Sequence, residues 1–202
     1  MWVLKLGGSL YASPHLPRWL EVIARYGAGR VVIVPGGGPF ADGVRAAQQK
    51  WRFSDAAAHR MALLAMEQYA WMLIGMQPGL IAARTVAEIR NISSNKNIPV
   101  WLPSVMVAGN TAIAETWDVT SDSLAAWLAT QLGATQLLLV KPELPAQSLS
   151  PEQLSTRGIV DQAFAQFVKG STCEILLLPA AQHGVLEKML QTEERLATRV
   201  AI

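Results

Sequence analysis

The chain has 202 residues, enough to bury a substantial hydrophobic core in one globular unit. Hydrophobic residues make up 51% and charged residues only 16%, so we expect a homo-oligomer in which another copy covers part of the surface. The net charge is +2 and the basic residues are scattered, which argues against nucleic-acid and membrane partners. No apolar run reaches the ~18 residues that cross a bilayer and no signal peptide is recognisable, so we expect a cytoplasmic protein.

Short apolar runs rich in β-branched residues alternate with segments of helical period along the chain. The predicted strands cover, in chain order, residues 2–6, 30–34, 99–102, 136–140, 174–178 and 198–202. The predicted helices cover about 14–27, 40–49, 54–76, 85–90, 121–132, 160–168 and 185–190, and residues 91–97 and 142–157 are predicted to be turns and loop. This alternation is typical of an α/β protein with a mostly parallel sheet that helices cover on both faces.

Two glycine-rich loops each follow a predicted strand and precede a helix. Gly7-Gly8-Ser9 follows the first strand, and Gly36-Gly37-Gly38 follows the second. Backbone amides in such turns, backed by a helix N-terminus, can bind phosphate. A tight strand-to-helix connection is the plainer explanation of either loop alone, but two loops at the same edge of the sheet favour a ligand site. Neither loop matches a Walker sequence or the full dinucleotide fingerprint, which excludes the usual nicotinamide-binding pattern.

Charged residues occur within the first predicted strand and at the start of one predicted helix. Lys5 is a lone charge within the first predicted strand, where an anion such as phosphate is its natural partner unless the strand lies at an edge. Asp118 and Asp122 open the helix that begins near Ser121. Capping of free amides would explain one of these acids, whereas a carboxylate near Lys5 could orient that lysine toward a transferring phosphoryl group.

The histidines carry no metal-binding signal. His15, His59 and His183 are far apart and lack ligand spacing, so we predict no metal site built from side chains.

Three ordered motifs resemble the amino-acid kinase superfamily. They are residues 5–9 (Lys-Leu-Gly-Gly-Ser), 34–41 (Val-Pro-Gly-Gly-Gly-Pro-Phe-Ala) and 120–126 (Thr-Ser-Asp-Ser-Leu-Ala-Ala). The resemblance implies one domain over 1–202, a three-layer αβα sandwich with the acceptor-binding part at about 1–118 and the nucleotide-binding part at about 119–202. It also implies transfer of the γ-phosphoryl group of ATP, with Mg²⁺, to a small acceptor that bears a phosphate or carboxylate.

The resemblance further implies a role for each matching residue. Lys5 and Asp122 would be catalytic. Gly7, Gly8, Ser9 and Lys141 would bind the nucleotide, and Gly36, Gly37, Gly38 and Asp118 would bind the acceptor. Residues 117–123 are most similar to family members that phosphorylate a furan-methyl phosphate in methanofuran biosynthesis, so an acceptor of that kind is expected.

The chain also departs from the family pattern at the nucleotide edge. Residues 141–144 (Lys-Pro-Glu-Leu) replace a more acidic motif, and residues 158–161 (Gly-Ile-Val-Asp) lack the lysine that several members place there. A second phosphate-binding cation would come from Lys141, Lys169 or a metal. These departures keep open a second hypothesis, a non-catalytic protein of the same fold that binds a ligand or a partner subunit.

Overall fold

A computed structural model describes residues 1–144, 147–192 and 197–200. Its strands are β1 (Trp2–Leu6), β2 (Val31–Pro35), β3 (Leu80–Ala83), β4 (Ile98–Trp101), β5 (Gln136–Lys141), β6 (Glu174–Pro179) and β7 (Thr198–Arg199). Its helices are α1 (Leu16–Tyr26), α2 (Gly38–Trp51), α3 (Asp55–Met76), α4 (Val86–Ser94), α5 (Ser104–Val107), α6 (Ser121–Leu132), α7 (Pro151–Thr156), α8 (Phe164–Val168) and α9 (His183–Thr192), with a 3-10 turn at Gly8–Leu10.

Within the described residues the strands form one sheet in the order β3-β4-β2-β1-β5-β6-β7. Every neighbouring pair is parallel except β6 and β7, which are antiparallel. β1 lies at the centre, where Lys5 pairs with Val34 of β2 and Leu139 of β5. The carboxyl ends of β1, β2 and β5 therefore meet at one edge of the sheet, the usual place for a ligand site in this kind of fold.

Alternation along the strands assigns side chains to the two faces of the sheet. Val3 belongs to the cluster that includes Leu124 and Leu128 of α6, so Lys5, two residues further along β1, points to the same face. Leu4 and Leu6 instead pack with the cluster of α1 and α9. The sheet thus has helical layers on both faces, which confirms the predicted αβα sandwich with a mostly parallel sheet.

Most predicted elements are present, but the stretch between α3 and α6 and the region after β5 differ. β3 was not predicted, because a short strand with a partly exposed Leu-Ile-Ala-Ala sequence carries little alternation. The four-residue helix α5 was also missed. The predicted turn at 91–97 is wrong in its first part, since α4 continues to Ser94.

Two further predictions in the C-terminal part are wrong. The loop predicted at 142–157 contains α7, whose start has a capping box formed by Ser150 and Gln153. The helix predicted at 160–168 begins only at Phe164, and Asp161, within the predicted range, accepts hydrogen bonds from Thr120 and Ser123 at the start of α6 instead. Of the closing strand predicted at 198–202, the structure contains Thr198–Arg199, and residues 201–202 lie outside the described residues.

None of the helices described here combines the length and the apolar composition that a bilayer span requires.

Candidate active site

The two glycine-rich turns pack directly against each other at the carboxyl edge of the sheet. The Gly36 amide donates to the Leu6 carbonyl over 2.8 Å, which brings the end of β2 beside the end of β1. A Cβ on Gly36 would lie 2.3 Å from the Gly8 nitrogen, and a Cβ on Gly8 would lie 2.4 Å from the Gly38 nitrogen. Both turns therefore require glycine because the backbones touch, and together they form one surface lined by main-chain groups.

Beside these turns, two lysines share one carboxylate. The Lys5 ammonium lies 2.8 Å from Asp122 Oδ1, and the Lys141 ammonium lies 2.7 Å from Asp122 Oδ2. Lys5, Asp122 and Lys141 are only 5%, 5% and 8% exposed. Because β1 and β5 are neighbours in the sheet and α6 packs over β1, three residues distant in sequence converge on one point. The cluster carries one net positive charge and lies at the edge where a phosphate would bind.

Burial and mutual attraction set the protonation of this cluster. Burial alone would raise the pKa of Asp122, but the neighbouring Lys5 and Lys141 lower it to about 2. Burial and repulsion from Lys5 lower the pKa of Lys141 to about 8, although Asp122 opposes both effects. At neutral pH Asp122 is ionised and Lys141 is charged but close to losing its proton.

A distant carboxylate holds the start of α6. Thr120, the N-cap residue, makes no capping bond with its own side chain. Instead, Asp161 Oδ2 accepts from the Thr120 amide at 2.9 Å, the Thr120 hydroxyl at 2.7 Å and the Ser123 amide at 3.0 Å, and the Ser123 hydroxyl donates to Asp161 Oδ1. Asp161 therefore caps α6 and leaves Asp122 free to pair with the lysines, which separates Asp122 from the plain capping role considered above.

A cavity of about 450 Å³ opens next to the cluster. It is bounded by the glycine turns, the start of α6 and the facing sides of α2 and α3. The lining residues are Gly8, Ser9, Tyr11, Ala12, Gly37, Gly38, Pro39, Ala41, Asp42, Arg45, His59, Ala62, Leu63, Met66, Trp117, Val119, Thr120, Ser121 and Leu124. Lys5, Asp122 and Lys141 are not in this lining. The cavity reaches their neighbours in sequence, at Ser121, which precedes Asp122, and at Gly8, which follows β1.

One wall of the cavity is held rigid by a relay of side chains. The Arg45 guanidinium lies 3.9 Å from the centre of the Trp117 ring. The indole nitrogen of Trp117 donates to Gln48 Oε1 at 2.6 Å, and Gln48 Nε2 donates to Asp55 Oδ1 at 2.7 Å. Such a relay fixes the plane of the indole and with it the position of the cation stacked on that ring.

His59 lies at the inner side of the same cavity. Its Nε2 is buried without a hydrogen-bond partner. Burial lowers the pKa of His59, although the Glu115 carboxylate and a hydrogen bond with the Thr116 backbone oppose the shift. The imidazole is therefore neutral at pH 7 and adds no charge to the cavity.

Comparison with known proteins shows which protein family the chain matches. The sequence profile of the amino acid kinase family matches residues 1–142. The chain belongs to the amino acid kinase family. The match includes both glycine turns, Lys5, Asp122 and Lys141, so the cluster described above lies within the part that defines the family.

Solved structures of the amino acid kinase fold superpose along nearly the whole chain. The uridylate kinase of Archaeoglobus fulgidus gives a TM-score of 0.73 at 19% identity and covers 99% of each chain. The UMP kinase of Bacillus anthracis gives 0.71 at 15% identity, over 94% of this chain and 91% of that one. An isopentenyl phosphate kinase gives 0.60 at 18% identity, over 99% and 98%. At these identities the similarity establishes the fold.

A curated relative is more similar in sequence. The [5-(aminomethyl)furan-3-yl]methyl phosphate kinase of Methanocaldococcus jannaschii is 29% identical over 144 residues, which is 69% of this chain. The match spans 64% of the length of that relative.

For this member of the amino acid kinase family, the structure brings most of the predicted site residues together. Lys5, Asp122 and Lys141 form the buried cluster, Gly7 and Gly36 lie within the touching turns, and Gly8, Ser9, Gly37 and Gly38 line the cavity. Asp118 is exposed and is absent from the cavity lining, so its acceptor contact stays a prediction. Of the candidate second cations, Lys141 pairs with Asp122, whereas Lys169 is exposed at the end of α8.

Three residues of this site were not singled out from the sequence. Arg45 and Gln48 sit on α2 among other polar residues, and Asp161 lies 38 residues beyond Ser123. The spacing of Arg45 and Gln48 places them on one side of α2, but the sequence does not indicate that both contact Trp117. Nothing local to residue 161 indicated that it would cap α6.

In the described ranges, no group of three or more His, Cys, Asp and Glu side chains could hold a metal ion.

Proposed function

We propose that this chain is an ATP-dependent kinase that transfers the γ-phosphoryl group to a small, phosphate-bearing acceptor. The observation that supports the proposal most directly is the buried Lys5–Asp122–Lys141 cluster beside two glycine turns in backbone contact. A buried cluster with one excess positive charge is costly unless an anion compensates it. The transferring phosphoryl group is such an anion.

In the proposed reaction, an oxygen of the acceptor attacks the γ-phosphorus of ATP. The bond from that phosphorus to the bridging oxygen breaks, the bridging electrons leave with ADP, and a new oxygen–phosphorus bond joins the phosphoryl group to the acceptor. Lys5 and Lys141 neutralise charge on the phosphoryl oxygens, and Asp122 orients both ammonium groups. Positioning and charge neutralisation supply the catalysis, with no covalent enzyme intermediate.

The residues at the β1 turn suit a nucleotide phosphate chain. A Cβ at Gly7 would lie 3.1 Å from the Lys5 ammonium, so the turn gives phosphate oxygens close access to that charge. We assign Gly7, Gly8, Ser9 and Lys141 to the nucleotide. Both Asp122 oxygens are paired with lysines, so Mg²⁺ would be held mainly by the nucleotide phosphates, whose charge it reduces. We further propose that about 1–118 supplies most of the acceptor contacts and about 119–202 most of the nucleotide contacts, with the Gly7-Gly8-Ser9 turn as the exception.

We assign the Gly36-Gly37-Gly38 turn and the cavity walls formed by α2 and α3 to the acceptor, with Asp118 as a further predicted contact. A cavity of about 450 Å³ is large enough for a small ring with a phosphate substituent. The similarity to a kinase named for a furan-methyl phosphate supports an acceptor of that class, with the product feeding a methanofuran-type one-carbon cofactor. Because it consumes ATP, we place the protein in the cytoplasm.

We further propose that the active form is a homodimer or larger assembly of this chain. Leu64 and Trp71, seven residues apart on one side of α3, are 52% and 51% exposed, and Met61 beside them is 39% exposed. An apolar strip along a single long helix suits antiparallel packing against its own copy.

The proposal is tested by incubating the purified chain with Mg²⁺-ATP and [5-(aminomethyl)furan-3-yl]methyl phosphate. We expect ADP release that depends on both the acceptor and Mg²⁺, and a phosphorus NMR spectrum of the product with the two coupled signals of a diphosphate. If neither this acceptor nor a panel of small phosphates and carboxylates supports ADP release, the proposed kinase function is wrong. Thermal stabilisation by ATP without turnover would instead indicate a nucleotide-binding subunit.

A further inference from the structure

Two opposite charges on α2 face the acceptor cavity without neutralising each other. Asp42 and Arg45 both line the cavity and are three residues apart, a spacing at which a helix allows an ion pair. No such pair forms, and the ion pairs that the structure records among the described residues leave the Asp42 carboxylate without a partner. A carboxylate and a guanidinium are therefore both available to a bound molecule.

Arg45 contacts Trp117 instead of Asp42, and further side chains hold Trp117 in place. Arg45 stacks on the indole at 3.9 Å, and Gln48 and Asp55 fix that indole from behind. Stacking engages the face of the guanidinium and leaves its N–H edge free to donate to an anion. Arg45 thus lies on the indole with its N–H groups open to a phosphate.

Asp42 and Arg45 are both exposed to solvent, and the Asp42 carboxylate lies at the cavity, where it disfavours an acceptor that carries only a phosphate. The carboxylate would repel the acceptor's own anionic group and weaken binding, unless the acceptor also carries a cation that pairs with it. The remaining walls include Tyr11, Met66 and Trp117, apolar and aromatic surfaces that suit a flat ring between two charged ends.

We propose that Asp42 binds a protonated amine of the acceptor while Arg45 and the Gly37-Gly38 turn bind its phosphate, so that the preferred substrate is a zwitterionic aminoalkyl-aryl phosphate. This inference rests on the proposed kinase function and adds the residue that selects the acceptor. Asp42 acts through charge and hydrogen bonding to the amine and takes no part in the phosphoryl transfer itself.

The test compares two acceptors of nearly equal shape with wild type and Asp42→Asn. The first acceptor is [5-(aminomethyl)furan-3-yl]methyl phosphate, and the second carries an uncharged ethyl group in place of the aminomethyl group. Losing one charge-assisted hydrogen bond raises KM about tenfold. We expect wild type to prefer the amine by about that factor in KM, and Asp42→Asn to lose the preference with kcat nearly unchanged. Glu187→Gln on α9, a carboxylate removed outside the cavity, should keep the preference.

The outcomes separate this inference from the kinase proposal. If wild type phosphorylates both acceptors and Asp42→Asn keeps the wild-type preference for the amine, the role of Asp42 is overturned and the kinase function stands. If Asp42→Asn lowers kcat equally on both acceptors and shifts the Mg²⁺ dependence, Asp42 serves a metal and the inference is again overturned. If wild type phosphorylates neither, the kinase function fails. In that case, the Kd values of the two acceptors for wild type and Asp42→Asn, measured by calorimetry without ATP, still decide whether Asp42 binds the amine.

Discussion

Lys141 on β5 donates to Asp122 on α6 over 2.7 Å, which brings one of the three predicted candidates for a second cation to the carboxylate that also pairs with Lys5. The family pattern of a lysine after residue 158 is absent here, yet a lysine at the end of a neighbouring strand reaches the same carboxylate that holds Lys5. Two ammonium groups therefore flank one acid, an arrangement that can take up the negative charge of a phosphoryl group from two sides.

The pKa of Lys141 predicts how nucleotide binding depends on pH. Its pKa is about 8 in the nucleotide-free protein, and bound phosphates favour the charged ammonium, so they raise that pKa further. Binding then takes up a proton above pH 8, and the Kd for ATP should rise as pH increases through 8, by up to about tenfold per unit. Calorimetric titrations of ATP between pH 6.5 and 9.5 measure this slope.

Lys141→Met is the control for that slope. It removes the titrating ammonium, so ATP should bind more weakly at pH 7 and with little change up to pH 9.5. An identical alkaline slope in wild type and Lys141→Met would assign the titration to another group.

Lys5→Met should lower kcat by about 10²–10³-fold, the usual loss when one preorganised charge on a transition state is removed. Methionine fills the space of the lysine stem, so the fold should be kept and near-native circular dichroism is expected. Lys188→Met, an exposed lysine on α9, serves as the matched control and should leave kcat at the wild-type level. Turnover of Lys5→Met within about threefold of wild type would remove Lys5 from the mechanism.

Asp122→Asn should reduce both turnover and stability. The variant leaves two buried ammonium groups without a counter-charge, and losing one partner of a buried ionic cluster costs about 3–5 kcal/mol. For a chain of this length the melting temperature should fall by about 10 °C. Mg²⁺-ATP should raise the melting temperature of Asp122→Asn by more than that of wild type, because phosphate replaces the missing anion.

Asp161→Asn offers the comparison for Asp122. It weakens the cap of α6 at a cost of about 1–2 kcal/mol and keeps the lysine pair intact. A larger loss of kcat in Asp122→Asn than in Asp161→Asn, after correction for the folded fraction, supports the orienting role. Equal losses of kcat in the two variants would indicate that Asp122 has only a structural role.

Gly8→Ala should separate the two touching turns. The new Cβ would lie 2.4 Å from the Gly38 nitrogen, so the β1 turn must shift away from the start of α2. We expect kcat/KM to fall by at least about 10²-fold, since misplacement by 1 Å already has that effect. Gly43→Ala is the matched control: nothing lies within 4 Å of its Cβ, and alanine within α2 should stabilise the helix by about 0.5–1 kcal/mol.

Trp71→Glu tests the proposed self-association through α3. A charge in the centre of a buried apolar interface should dissociate the assembly, so light scattering should report the mass of one chain where wild type gives two or more. Trp51→Glu is the control, because Trp51 is 71% exposed and lies at the end of α2, outside α3. A monomeric wild type at micromolar concentration would contradict the proposal.

Local pattern was sufficient to predict much of the fold. The strands at Trp2–Leu6 and Gln136–Lys141 and the helices at Asp55–Met76 and Ser121–Leu132 have long or strongly apolar sequences with clear stops, so periodicity identifies them. β3 and α7 are short, and their identity depends on neighbours that the sequence does not reveal. The capping box at Ser150 was nevertheless a local signal for α7 that went unused.

The site was predictable where it depends on strand ends and not where it depends on contacts across the chain. Lys5 stands out as a charge within β1 and the glycine turns stand out after β1 and β2, and the pairing of Lys5 with Asp122 matches the expected orienting carboxylate. That Lys141 shares this carboxylate follows from the neighbouring positions of β1 and β5. The order of the strands in the sheet cannot be predicted from hydrophobic periodicity along the chain.

Asp161 caps α6 from a later part of the chain, so the start of α6 can be completed only after residue 161 has been synthesised. During synthesis, α6 leaves the ribosome about 40 residues before the carboxylate that completes its first turn. Until then the Thr120 and Ser123 amides lack the carboxylate that accepts from them in the folded chain. Chains that end before residue 161 should therefore have a frayed start of α6, the turn that carries Asp122.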